Sequence, residues 1–212
     1  MCKWTIRLVF LYIVFFPFVG FANIDPANLI KVTPETDPTC VEYYHYKNAM
    51  YCSTTAQNNE RVDPNIRMNE HQTILFDERP WFAAWGQHTA AIDTVEYIPA
   101  GDHIEKWTEL VTSQFVPDPE NKISPKQFAD TIIQGIKEAG FSPIIHTIQD
   151  TPDQFIFEFR LESPPNQAQD ELQKITRGHN GLYILHYTIK KADMGQKNRE
   201  KWVSILEKSS IK

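Results

Sequence analysis

Apolar side chains recur along this chain with two periods, and the period sets the element expected. Between Gln154 and Leu161, Phe155, Phe157, Phe159 and Leu161 alternate with Gln154, Ile156, Glu158 and Arg160. A repeat of two marks a strand with one face in a core. "WFAAWG" and "AAIDTVEYI" predict two strands joined by the turn "GQHT". In the second of these, Val95 and Tyr97 fall on one side and Ile92, Thr94, Glu96 and Ile98 on the other. "LVTSQFV", "PIIHTIQD", "DELQKITR" and "LYILHYTIKK" read as further strands, the last two closed by the compact turn Gly178-His179-Asn180-Gly181.

The helical period is clearest after Ser124. Ser124 is placed as N-cap, Pro125 at the first helical position and Gln127 as the partner in a capping box. Phe128, Ala129, Ile132, Ile133, Ile136 and Ala139 then form one apolar stripe, and Gly140 stops it. Gly135 inside this helix costs about 1 kcal/mol against alanine, which predicts close packing there. A terminal helix from about residue 195 to 207 sets Trp202, Val203, Ile205 and Leu206 inward. A third, short helix is expected in "PAGDHIEKW", with Asp102 as N-cap, Glu105 completing its capping box and Trp107 buried as the anchor.

The order β-β-α-β-α-β-β-β-β-α predicts a mostly antiparallel sheet covered by helices on both faces, an α/β/α sandwich over residues 73–212. Residues 23–72 are rich in Pro, Thr, Asn and Asp and are expected to form an irregular extension. Ahead of them, Lys3 and Arg7 precede an apolar run from Leu8 to Val19, and Gly20 and Ala22 supply small residues. Residues 1–22 therefore read as a secretory signal peptide cut after Ala22, because the run is shorter than the ~20 residues that span a bilayer. Cys40 and Cys52 remain after that cut, and export to an oxidising compartment makes them a disulfide pair.

Charge is uneven. The full chain carries −6, but residues 190–212 hold a net +4, so the remainder carries −10. This balance argues against nucleic-acid binding and sets a basic terminal helix on an acidic body. The chain has no Gly-x-Ser-x-Gly elbow, His-Glu-x-x-His, phosphate-binding loop or dinucleotide fingerprint. No catalytic residue, metal or cofactor is expected. His146, Glu158, Arg160 and His186 lie on strands and would line a polar pocket if those strands were neighbours on one face. Tyr43, Tyr44 and Tyr46, with Lys197, Arg199 and Lys201 on the terminal helix, offer aromatic and basic contact surfaces for a protein partner.

"VEYIPAGDHIEKWTELVTSQF", the capped helix "SPKQFADTIIQGIKEAG" and "GHNGLYILHYTIKK" before a terminal helix resemble secreted bacterial proteins of unknown function with a PsbP-like α/β/α fold. That fold is named after an extrinsic photosystem II subunit and is also seen in a Ran-binding nuclear import factor. The resemblance rests on Glu96, Tyr97, Gly101 and Trp107 and on the order of elements, over roughly residues 73–210. It implies a non-enzymatic binding or assembly module and transfers no functional residues. The alternative is a small secreted hydrolase or metal-dependent enzyme using the strand histidines.

Overall fold

The structure, a computed structural model, describes residues 24–33, 40–55 and 64–212. The signal segment expected at residues 1–22 lies outside the described residues. In chain order the elements are β1 (Ile30–Lys31), β2 (Glu42–Tyr46), β3 (Ala49–Ser53), β4 (Gln72–Thr73), β5 (Trp81–His88), β6 (Asp93–Pro99), β7 (Glu109–Pro117), α1 (Pro125–Glu138), β8 (Ile144–Asp150), β9 (Gln154–Leu161), β10 (Gln169–Arg177), β11 (Gly181–Ile189), α2 (Gln196–Lys208) and β12 (Ser210–Ile211). Ten strands make one sheet in the order β1-β3-β2-β5-β6-β7-β11-β10-β9-β8, and β4 and β12 pair as a separate two-stranded ribbon. All of these pairings are antiparallel.

This overturns the α/β/α sandwich and with it the PsbP-like architecture. The described residues form a large, mostly antiparallel sheet and two short α-helices, and neither helix makes a layer. α1 covers the phenylalanines of β9 and neighbouring Ile175, Leu182 and Ile184, while α2 packs through Trp202 and Leu206 against Leu172, Leu185 and Tyr187. The rest of the sheet is covered by other means. Ile24 and Leu29 close over Tyr44, Phe82, Ile98 and Leu110, and the 3-10 helix Pro64–Asn69 inserts Ile66 against the strand pair β5–β6. A Cβ added at Gly86 would lie 2.7 Å from Ile66 Cγ2, so that close approach depends on glycine.

The third helix is not formed. Ile104–Lys106 is a single 3-10 turn whose N-cap is His103, with no side-chain cap bond. β6 and β7 are adjacent and antiparallel, so the connection has only to reverse the chain, and it is too short to nucleate an α-helix. Trp107 is half-buried rather than enclosed. It lies against the Ile24–Leu29 cluster with Lys190 Nζ 4.0 Å from its ring centroid. Among the described residues the fully buried tryptophans are Trp81 and Trp202.

α1 has the expected capping box, with Ser124 accepting from the Gln127 amide. Gly135 does not have the close neighbour expected of it, because a Cβ there would meet nothing within 4 Å. Within residues 23–72, β2 and β3 form a hairpin that pairs with β5 and extends the main sheet. Cys40 and Cys52 are joined as a disulfide, tying the strand entering the hairpin to the strand leaving it.

Candidate functional site

The residues expected to form one polar pocket are divided by the sheet. His146 pairs directly with Glu158, and Glu158 with Leu172, so these side chains share the face on which α2 packs. His186 pairs with Gln173 on the opposite face. On the α2 face, the Arg199 guanidinium reaches Glu158 Oε1 at 2.6 Å, Asp170 Oδ2 at 3.3 Å and Asp193 Oδ1 at 2.8 Å. Arg160 joins through Asp193 at 3.1 Å, and His146 stands exposed, 3.8 Å from Glu158. Burial pushes the Asp170 carboxyl up to about 7. The adjacent Glu158 carboxylate adds to the rise, while the Met194 amide and Arg199 oppose it. Asp170 Oδ1 has no hydrogen-bond partner, which fits a carboxyl that keeps a proton beside Glu158. This cluster clamps α2 to β9 and β10.

On the other face, His186 Nδ1 lies 2.8 Å from Glu171 and Nε2 lies 3.2 Å from Gln114. Burial would raise the Glu171 carboxyl, but His186, Gln173 and Thr188 outweigh it and hold the group below the usual carboxylate range. Both ring nitrogens of His186 are therefore engaged by neighbours.

The two expected contact surfaces are largely used internally. Lys201 Nζ pairs with Asp77 at 3.0 Å, and Arg199 is committed as above, which leaves Lys197 exposed. Tyr44 is fully buried and donates to Glu42, Tyr46 packs edge-on to Tyr51, and Tyr43 lies under the Arg67 guanidinium at 4.4 Å.

A cavity that the sequence reading missed lies between the β2–β3 hairpin, the 3-10 helix Pro64–Asn69 and the β4–β12 ribbon. It has a volume of about 250 Å³, and its polar wall includes His45, Arg67, Glu70, Gln72, Tyr97 and Lys212. Alternation along β2 explains the placing of His45. Tyr44 turns to the Phe82–Ile98 cluster, so His45 turns the other way, 5.0 Å from the Phe76 ring and 5.5 Å from Tyr97. Burial, with the positive charges of Arg67 and Lys212, pushes His45 down to about 4, so the ring is neutral at physiological pH.

Glu70 is held by three donors. Tyr97 Oη reaches Oε2 at 2.7 Å, and Ser113 Oγ and the Gln72 amide each reach Oε1 at 2.7 Å. Burial nevertheless raises its carboxyl, the donors and Lys212 opposing. Lys212 Nζ donates to the Glu70 carbonyl at 2.7 Å. Met50, Ile74 and Leu75 supply an apolar wall. The only hints in the sequence were His45 standing in a run of tyrosines and Tyr97 in the "VEYI" strand; Arg67 and Lys212 carry no motif.

Among the described residues, no three His, Cys, Asp or Glu side chains gather as a metal site, and no helix is long and apolar enough to cross a membrane. Fold and cavity together define a protein with one large antiparallel sheet and a partly enclosed pocket at one end of it. The chain belongs to an uncharacterised protein family, whose model matches residues 68–212. No curated protein matches it. Glu70, Gln72, Tyr97 and Lys212 fall inside the matched span, whereas His45 and Arg67 precede it.

Proposed function

We propose that this protein is an exported, non-enzymatic binding module whose ligand enters the cavity beneath the β2–β3 hairpin. The observation that carries this reading is the pocket itself: charged, aromatic and apolar side chains converge on it, as expected of a small-molecule site. Its titratable groups are fixed rather than poised. Glu70 is spent on three donors and His45 is packed between rings, so neither is free to take a proton from a substrate. The enzyme alternative needs the strand histidines together, and His146 and His186 lie on opposite faces of the sheet. A protein partner remains part of the proposal, with the exposed Lys197 end of α2 as its contact.

Export is supported by the amino-terminal charge and apolar pattern and by the Cys40–Cys52 bond, which suits an oxidising compartment. Native mass spectrometry of protein recovered from the exported fraction tests both parts. The expected species starts at Asn23 and carries a small-molecule adduct that is lost in a Met50→Trp variant, where a larger ring opposite His45 fills the cavity. A chain that retains residues 1–22 would contradict export. A wild-type mass with no adduct, and no stabilisation by any compound in a fragment screen, would contradict the binding reading.

A further inference from the structure

The cations that line the cavity narrow its ligand. Arg67 and Lys212 stand beside the Glu70 carboxylate, and His45 is neutral. Lys212 already donates to the Glu70 carbonyl. Arg67 is different. Its guanidinium stacks on the Tyr43 ring at 4.4 Å with Tyr97 nearby, and among the described residues no carboxylate lies within ion-pair distance of it. Stacking on a ring occupies the face of a guanidinium and leaves its N–H donors free in the plane. Burial costs this group part of its hydration and lowers its proton affinity, and among the described residues Tyr97 and Tyr43 offset only part of that cost.

We propose, building on the binding reading above, that the cavity takes a small monocarboxylate with an apolar body. The carboxylate would sit in the plane of the Arg67 guanidinium, and the body against Met50, Ile74 and Leu75. A planar two-oxygen anion matches the guanidinium fork. A phosphate has no apolar body to set against Met50, Ile74 and Leu75. Other features of the molecule carry less. The His186–Glu171–Gln114 chain is satisfied within itself, and the Glu158–Asp170–Arg199 cluster is closed around its own charges.

The test uses the full mature chain and three probes followed by calorimetry: hexanoate, hexanamide and inorganic phosphate. Hexanoate should bind, hexanamide should bind about tenfold more weakly or not at all, and phosphate should not compete. Arg67→Gln should weaken hexanoate by about tenfold while leaving hexanamide unchanged. The comparison of probes on the wild-type chain stands even if that variant fails to fold. Equal binding of hexanoate and hexanamide would overturn the anion assignment and leave the binding reading intact. Tighter binding of phosphate would overturn the assignment of a monocarboxylate. Binding of none of the three would overturn it also, and the fragment screen above then decides the fate of the wider reading.

Discussion

A Trp202→Ala variant should lose about 3–5 kcal/mol of stability, the range for truncating a buried tryptophan. Trp202 is fully buried where α2 meets the sheet. Its ring stacks on Tyr187 at 3.9 Å with an interplanar angle of 11°, and it meets Trp81 edge-on at 5.5 Å. Both partners belong to the main core cluster, so the hole would open at the centre of the α2 face and not at its margin. Wall residues on rigid strands relax poorly, which places the loss high in the range. Chemical denaturation checks it: the midpoint should fall sharply with little change in the denaturant slope. A midpoint close to the wild type would mean that α2 is not the element that seals this face.

The second large effect concerns Arg199 and depends on pH. Removing one partner from a buried ion pair costs about 3–5 kcal/mol; the Arg199 side chain is 22% exposed, so about 3 kcal/mol is expected for Arg199→Ala at neutral pH. The cause is the charge left behind on Glu158 and Asp170, which are 4% and 0% exposed. Asp170 sets the sign of the pH dependence. Its folded-state value is raised from 3.8 to about 7, so between those values the folded protein holds a proton that the unfolded chain gives up. The stability this group contributes is complete at low pH and is lost as pH rises through that window. Asp170→Asn should therefore flatten the profile between pH 4 and 7 and stabilise the protein above pH 7. Arg199→Ala should cost less at pH 5 than at pH 8, because Asp170 is then protonated. Thermal midpoints of both variants across this range measure it, and profiles parallel to the wild type would show that Asp170 does not carry the proton.

Much of the fold was legible because strand periodicity is a local property. The alternation of Phe155, Phe157 and Phe159 placed β9 and its core face, and Ser124, Pro125 and Gln127 placed the start of α1. The architecture departs from the local pattern at three points, for physical reasons. The capping pattern at Asp102 and Glu105 predicts a helix, yet the hand-over between antiparallel β6 and β7 forms only a 3-10 turn with no side-chain cap bond. The polar composition of residues 23–72 hid a hairpin, because turn-rich flanks mask the alternation of Tyr44 and His45. Helix layers were inferred from the order of elements, but that order says nothing about how many strands one helix must cover.

The site was less legible still. Face assignment requires knowing which strands are neighbours. His146 and His186 look equivalent as strand histidines, and only the β8-β9-β10-β11 order puts them on opposite sides. The cavity draws Arg67 from a 3-10 helix, His45 from a hairpin and Lys212 from beyond β12, three segments that no local pattern connects. Arg199 and Lys201 looked like an open basic face, but the acidic groups that absorb them, Asp77, Glu158 and Asp170, come from segments far away in the chain.

Amide chemical-shift mapping of the mature chain against a fragment library locates the proposed ligand. Shifts of bound fragments should cluster on Asn48–Met50, Arg67, Gln72–Leu75, Tyr97 and Lys212; clustering around Glu171 and His186 on the opposite face would place binding elsewhere and refute a site in the cavity under the hairpin.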